Sequence, residues 1–306
     1  MATIKGWAQT GNSLTIPGLH NPAVAAMSAT DIAYIDDVNG QLVKRRFNGS
    51  NWSQVGSGLT VITSGSDNPA LVALSSTDVV LAANGVIQIY RFSSSTWATV
   101  GSAFSIIGMT YPALAVFSST DIAYLDNNGQ LGRLRFNGST WSLVGDNVLP
   151  LTDSTYPAIT ALNSNDLVIC TTTGTNTNQL RAVRYNEPLW ATLGNPLTVM
   201  TTGYDYPALT TLNSTNVALA VSSTDILLRD FQFDGTNFSQ QGNALTVDSA
   251  FAPKLSALSS TDVAFCATTN SATDQLRVYR FDGSNMPGTE KFWRVPPRKR
   301  AWRVKK

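Results

Sequence analysis

Short apolar runs alternate with polar turn segments along almost the whole chain. Ala113-Leu114-Ala115-Val116-Phe117 and Ile122-Ala123-Tyr124-Leu125 are examples, with Ser, Thr, Asn and Gly crowded between such runs. Runs of about four to eight apolar residues bounded by turn residues are typical of β-strands, and the longer 3.6-residue periodicity of helices is absent. The pattern therefore predicts an all-β protein with many short strands.

The predicted strands recur in a unit of about 45 residues that occurs six times. Each unit opens with a proline followed by strand A, and a Ser/Thr-rich corner then ends in Asp or Asn before strand B. A turn leads into strand C, which ends in Arg-Phe or a close variant, and Asn-Gly or Asp-Gly then supplies a hairpin turn in four units. Strand D begins with an aromatic residue. The opening prolines are Pro22, Pro69, Pro112, Pro157, Pro207 and Pro253.

The sixth unit lacks strand D, because Met286 stands where the aromatic residue is expected. The missing strand is at the other end of the chain, where Trp7–Ile16 matches Trp52–Val61. An open solenoid does not require a strand of its last unit at the other end of the chain, whereas a ring is closed when the first strand completes the last blade. We therefore predict a closed six-bladed β-propeller of four-stranded antiparallel blades over residues 1–286, with residues 4–16 completing the sixth blade.

An acid at the start of strand B is predicted to face an arginine at the end of strand C. Facing residues of an antiparallel hairpin share a constant index sum, and Asp78 with Arg91 centres on the Asn84-Gly85 turn. In the fifth unit Asn216 and Gln232 replace both charges. The five predicted cross-strand pairs are Asp31–Arg46, Asp78–Arg91, Asp121–Arg135, Asp166–Arg184 and Asp262–Arg280.

Features present in every unit are explained most simply by the blade, so only departures from the repeat are candidates for a site. His20 is the single histidine, and no phosphate loop, dinucleotide fingerprint, Cys-x-x-Cys or His-Glu-x-x-His motif is present. A His-based triad or a His-rich metal site would have to use His20, which lies in a loop before Pro22. We predict a non-enzymatic protein with no catalytic, cofactor-binding or metal-binding residues. A propeller glycosidase is the least favoured alternative.

The loops from strand D to the next strand A vary between units and gather on one face around the predicted channel. Three consecutive units carry a tyrosine immediately before the proline. Such rings suit sugar stacking or protein docking, because they give contact area at low entropy cost, or each ring covers the end of a neighbouring strand A. The candidate ligand-binding residues are His20, Asn21, Asp67, Asn68, Tyr111, Tyr156 and Tyr206.

Residues 287–306 form a basic tail outside the repeat. Residues 291–306 contain eight of the 21 Lys and Arg residues and no acid, which leaves 13 basic against 20 acidic residues in the rest of the chain. A basic run alone suits solvent or nucleic acid, but interleaved Trp, Val and Pro-Pro favour docking on a protein, either a partner or the ring itself. The docking candidates are Phe292, Trp293, Arg294, Arg298, Lys299, Arg300, Trp302 and Arg303.

Composition adds two expectations. No run approaches 18 apolar residues and the first residues lack the apolar core of a signal peptide, so neither membrane insertion nor export is predicted. Cys170 and Cys266 occupy equivalent positions in the fourth and sixth units. Because non-adjacent blades lie well beyond the ~7 Å limit for a disulfide, both residues are predicted to be buried thiols.

The unit P-A-(apolar)-A-L-(S/N)-S-T-D-(V/I)-A followed by Q-L-R-x-Y-R-F-(N/D)-G-S-x-W resembles, over residues 1–286, a repeat of proteins encoded by tailed bacteriophages and their prophages. The tail segment V-P-P-R-K-R is similar to short basic-aromatic repeats of phage-encoded proteins. The resemblance implies a structural virion module, in a tail, fibre or decoration, attached to other virion proteins through its tail and carrying no catalytic residues. The alternative is a lectin or receptor-binding module that recognises a host surface glycan through the tyrosine loops.

Overall fold

The computed structural model describes residues 6–16, 21–36, 40–62, 68–145, 149–151, 155–172, 178–200, 206–222, 225–247, 250–269 and 275–282. Within these ranges the chain forms 25 strands in six antiparallel sheets and contains no helix. The sheets are the blades of a closed six-bladed β-propeller, as the repeat predicts. The division between the ring and the tail after residue 286 stays a prediction, because residues 283–306 lie outside the described residues.

The strands have the following bounds. The first strand is β1 (Gly6–Thr15). Blade 1 contains β2 (Ala23–Ala26), β3 (Asp31–Asp36), β4 (Gln41–Phe47) and β5 (Trp52–Thr60). Blade 2 contains β6 (Ala70–Ala73), β7 (Asp78–Ala83), β8 (Val86–Ser93) and β9 (Thr96–Ser105). Blade 3 contains β10 (Ala113–Val116), β11 (Asp121–Leu125), β12 (Gln130–Phe136), β13 (Trp141–Leu143) and β14 (Leu149–Pro150).

The remaining blades follow the same order. Blade 4 contains β15 (Thr155–Ala161), β16 (Asp166–Thr172), β17 (Asn178–Asn186) and β18 (Leu189–Met200). Blade 5 contains β19 (Pro207–Thr211), β20 (Asn216–Ser222), β21 (Ile226–Phe233) and β22 (Phe238–Val247). Blade 6 contains β23 (Ala250–Ala257), β24 (Asp262–Thr269) and β25 (Gln275–Asp282).

The N-terminal strand closes the ring. β1 pairs with β25 and becomes the outermost strand of blade 6, with Trp7 opposite Phe281 and Ala8 opposite Arg280. On the inside of the ring β23 contacts β2, so blades 6 and 1 are neighbours. The prediction that the first strand completes the last blade is therefore confirmed.

Burial explains why the second strand of each blade is mostly apolar after its first residue. All seven residues of β16 are buried, as are all five of β11. A central strand lies between two neighbouring blades, so both of its faces pack against apolar side chains, whereas an outer strand such as β22 is exposed at most positions. The core of the described chain is accordingly divided into clusters between adjacent blades.

The structure contains the five cross-strand acid–arginine pairs, with closest nitrogen–oxygen distances from 2.6 to 2.9 Å. Each aspartate lies directly opposite its arginine in the B–C hairpin. The carboxylates are largely buried and the arginines are about half exposed, so each of these five blades holds one partly desolvated pair at its rim.

Two blades add a second cation that the sequence analysis did not anticipate. Lys44 Nζ lies 3.1 Å from Asp31 Oδ2, and Arg133 Nε lies 3.3 Å from Asp121 Oδ1. Both cations also face an aromatic ring of the next blade, since Lys44 lies over Phe92 and Arg133 over Tyr185. These residues therefore connect the acid pair of one blade to the core of its neighbour.

Blade 5 keeps a carboxylate at the corresponding place but on a different strand. Asn216 is opposite Gln232, as predicted, yet its Nδ2 lies 3.3 Å from both carboxylate oxygens of the buried Asp230. The inference that blade 5 simply loses both charges was therefore incomplete, because an acid two residues before Gln232 takes over the contact.

The acid–arginine pairs predict a loss of stability in acid. The arginine hydrogen bond holds the pKa of Asp31, Asp78 and Asp166 below its usual range, against the opposing effect of burial. For Asp121 burial acts to raise the pKa, but Arg135 and Arg133 together outweigh this effect, so the pKa is again lowered. A carboxyl group with a depressed folded-state pKa stabilises the fold above its unfolded pKa of about 3.9, and this contribution disappears as the pH falls through the folded-state pKa.

The unfolding free energy measured by urea titration should therefore stay level from about pH 5 to pH 7 and fall below about pH 4. The matched variant is Asp166→Asn with Arg184→Gln, which gives blade 4 the residues of blade 5. This double variant should show a shallower decline in acid than the unchanged protein. Equal slopes for the two proteins would contradict the assignment.

Three further features bear on the predictions. Cys170 and Cys266 are buried and are not joined in a disulfide, as predicted. The described part of the chain has no helix of the length and apolarity that crossing a membrane requires. Among the same residues, no three His, Cys, Asp or Glu side chains are grouped so that they could hold a metal ion.

Candidate functional site

The candidate site lies at one mouth of the central channel, beside the prolines that precede the inner strands. Asn68, Tyr111, Tyr156 and Tyr206 all line the same small cavity there. Asn21 precedes β2 at the equivalent place in blade 1 and is partly buried. His20 and Asp67, together with all candidate docking residues of the tail, lie outside the described residues.

The three tyrosine rings form one cluster, instead of each covering only the end of a neighbouring strand A. The ring centroids of Tyr111 and Tyr156 are 5.0 Å apart with their planes at 84°, and those of Tyr156 and Tyr206 are 4.3 Å apart at 48°. All three side chains are partly buried. Burial raises the pKa of Tyr206 to about 12. The hydrogen bond to the Tyr156 side chain and electrostatic interactions with Tyr156 and Tyr111 act in the same direction. The Tyr206 hydroxyl therefore remains protonated at neutral pH and can donate a hydrogen bond.

The backbone in front of the prolines is unusual. Tyr111 and Tyr156 both have φ of 47°, and Asn21 and Ala252 have φ of 50° and 51° at the equivalent positions. A bulky residue in this left-handed region costs on the order of 1–3 kcal/mol, and such strain concentrates at functional sites. The Tyr156 amide is held by a 2.9 Å hydrogen bond to Asn127 Oδ1 of the neighbouring blade. The fold therefore fixes the tyrosine backbone in one orientation.

Lys254 completes the wall of the mouth and is the residue that the sequence analysis missed. It follows Pro253, where the five other units carry alanine, namely Ala23, Ala70, Ala113, Ala158 and Ala208. It lines both the tyrosine-rimmed cavity of about 20 Å³ and an adjoining cavity of about 70 Å³ enclosed by the first residues of the inner strands. Burial lowers its pKa to about 8. An alignment of the six units would have revealed this single departure.

The other half of the channel is a larger cavity of about 280 Å³, in which three side-chain hydroxyls bind amides of the adjacent blade. The Ala26, Ala257 and Thr211 amides donate hydrogen bonds to Ser256 Oγ, Thr210 Oγ1 and Thr160 Oγ1 of the adjacent blade, at 2.8, 3.0 and 3.0 Å. Inner strands have one edge without a sheet partner, so these hydroxyls satisfy amides that would otherwise face only the channel. These hydrogen bonds join adjacent blades across this half of the channel.

Comparisons of the sequence and the structure with those of known proteins provide evidence about the fold. No protein-family model matches the chain, and no curated protein matches it by sequence. The crystal structure of a triple arginine-to-alanine mutant of AofleA from Arthrobotrys oligospora is similar with a TM-score of 0.62 at 13% identity, covering 92% of this chain and 89% of that one. No comparison links the chain to phage virion proteins, so that hypothesis rests on the repeat resemblance alone.

Two further solved structures are similar over the same span. A mutant of the Aleuria aurantia lectin in complex with Fucα1-6GlcNAc matches with a TM-score of 0.60 at 14% identity, covering 92% of this chain and all of that one. The SapL1 lectin in complex with α-methyl fucoside matches with a TM-score of 0.60 at 10% identity, covering 92% and 97%. At this level of identity the likeness establishes the fold that all of them share, the six-bladed β-propeller.

Proposed function

We propose that this protein is a non-enzymatic carbohydrate-binding propeller that holds a sugar at the tyrosine-rimmed mouth of its channel. The observation that carries the proposal is the convergence of Tyr111, Tyr156 and Tyr206 on one cavity, with ring centroids 4.3 to 5.0 Å apart. Tyrosine offers a flat apolar face and a hydroxyl in the same side chain, so it can contact the apolar face of a sugar while its hydroxyl binds sugar oxygens.

Rigidity of the site supports the same function. The strained tyrosine backbones and the mutual ring contacts hold the cluster in place before a ligand arrives. Little conformational entropy is then lost on binding, which matters for a ligand as small as a sugar because each ordered side chain otherwise reduces affinity. The neighbouring amide of Asn68 is buried at the same cavity and can both donate and accept hydrogen bonds.

The similar structures favour carbohydrate over other ligands. Two of them are lectins solved with fucose-containing ligands, and each covers the ring of this chain almost completely. Fold alone does not transfer a function, so the argument rests on the cavity and uses these lectins only to choose among ligand classes. Sugar binding was the alternative hypothesis of the sequence analysis, and it has more support than the virion hypothesis.

A glycan array probed with the purified protein tests the proposal. The unchanged protein should be retained by at least one glycan class, and Tyr156→Ala should weaken the affinity for that glycan about tenfold or more, because Tyr156 contacts both other rings. Tyr156→Phe, which keeps the ring, should lose less. Tyr90→Ala is the matched control, since Tyr90 lies on β8 and does not line the mouth cavity.

Folding of each variant is checked by its thermal melting curve before the array is read. Absence of retention on every glycan, or equal affinities for Tyr156→Ala and Tyr90→Ala, would overturn the proposal.

A further inference from the structure

Lys254 places one cation in a channel wall that is otherwise uncharged. The described residues that line the three channel cavities include no Asp, Glu, Arg or His, and Lys254 is the single ionisable residue apart from the tyrosines. Around it stand the prolines, alanines and leucines that open the inner strands. The repeat itself supplies alanine at this position, so the lysine is not required to build a blade.

The environment of this lysine favours an anionic group. Burying an ammonium group without a counter-charge is unfavourable, and burial accounts for the lowered pKa of Lys254. No described carboxylate compensates it, whereas the hydroxyls of the tyrosine cluster and the amide of Asn68 border the same cavity. Hydrogen bonds from such donors to an ionised acceptor are roughly twice as strong as neutral ones. The mouth therefore combines one positive charge with several hydrogen-bond donors.

The size of the space limits what part of a ligand can reach the lysine. Pockets that enclose a whole small molecule span roughly 300–1,000 Å³, and the cavity beside Lys254 measures about 70 Å³. A compact group of a few heavy atoms fits this space, but a complete sugar ring does not. A sugar ring would remain at the level of the tyrosines.

We propose that the channel mouth selects a carboxylate-bearing sugar, with the carboxylate paired to the Lys254 ammonium and the sugar ring packed on the tyrosine cluster. This inference rests on the proposed function for the location of the sugar and adds the class of sugar. It departs from the fucose ligands of the similar lectins, because fucose carries no charge.

Binding measured by calorimetry with matched probes tests the inference. The probes are methyl galacturonide, which has the carboxylate, and methyl galactoside, its neutral counterpart. The unchanged protein should bind the acidic sugar at least tenfold more tightly than the neutral one. Lys254→Ala restores the residue of the other five blades, and Lys254→Met keeps the length of the side chain without its charge. Both variants should reduce the preference to about one.

A preference that is absent in the unchanged protein, or that persists in both variants, would overturn the inference. The third probe is acetate, read out by protection of Lys254 from acylation. If no sugar binds but acetate protects Lys254, the proposed function fails while the anion site stands. If neither acetate nor methyl galacturonide protects Lys254, the anion site fails as well.

One of the chain's own acids supplies the final control, because Asp205 directly precedes Tyr206 in the sequence. Asp205→Asn should leave the protection by methyl galacturonide unchanged. Protection that appears only in this variant would show that an internal carboxylate already pairs with the Lys254 ammonium, and this result would overturn the inference.

Discussion

Replacing Trp7 with alanine is expected to lower the free energy of unfolding of the entire ring by about 3–5 kcal/mol, the range found when a large buried aromatic side chain is truncated. Trp7 is 1% exposed. It lies on β1, which pairs with β25, and its side chain belongs to the core between blades 5 and 6.

The packing around Trp7 explains why the effect should spread beyond one blade. Its ring lies 5.1 Å from that of Phe281, and it belongs to the cluster between blades 5 and 6 that also contains Leu228 and Tyr279. A cavity at this point loosens the contact that keeps the last blade in the ring. The expected result is one cooperative transition at lower urea concentration with an unchanged m-value, because the whole ring unfolds together.

Trp7→Phe is the matched control, since blade 5 carries Phe238 at the same position of the repeat. This variant keeps a ring against Phe281 and should lose less than about 2 kcal/mol. Circular dichroism during urea titration measures both variants. A loss below about 1 kcal/mol for Trp7→Ala would mean that the first strand does not hold the ring closed.

The repeat made the architecture predictable from the sequence. An antiparallel hairpin has a fixed index sum, so the Asp–Arg positions and the turn between them define the register of strands B and C without any structure. The structure has this register in blade 2, where Asp78 faces Arg91, and in blade 5, where Asn216 faces Gln232. Ring closure was equally visible, because a strand missing at one end of the chain was present at the other.

Contacts between blades could not be predicted in the same way. The distance between Tyr111 and Tyr156 depends on how two sheets are rotated about the channel axis and on a left-handed backbone before proline, and residue identity specifies neither. The second cations, Lys44 and Arg133, face rings of the next blade for the same reason. Lys254 differs from these residues, because the sequence alone shows that it replaces the alanine of the other five units. It was missed because it lies in a strand, β23, and not in a variable loop.

Gly101→Ala is expected to lower the free energy of unfolding more than Gly138→Ala, although both glycines have a positive φ angle. Gly101 lies in β9 at φ of 65°, where the pairing with β8 is irregular between Ile87 and Ile89. A Cβ atom added there would lie 2.5 Å from the Ser139 carbonyl oxygen and 2.6 Å from Phe136 Cζ, both in the next blade. The left-handed backbone costs about 1–2 kcal/mol for alanine, and crowding in a packed interface adds about 1–3 kcal/mol.

Gly138→Ala separates these two effects. Gly138 has φ of 99°, and a Cβ atom added to it would meet nothing within 4 Å, so this variant carries the backbone cost alone. The close approach at Gly101 lets the Ser102 amide donate a 2.7 Å hydrogen bond to the Ser139 carbonyl, a link between blades 2 and 3. The same link recurs from Asn12 to Ser50, from Ser57 to Ser95 and from Asn195 to Thr236. Urea titration should show Gly101→Ala to be destabilised by at least about 1 kcal/mol more than Gly138→Ala. Equal losses would mean that Gly101 serves only the irregular pairing within its own blade and not the contact between blades.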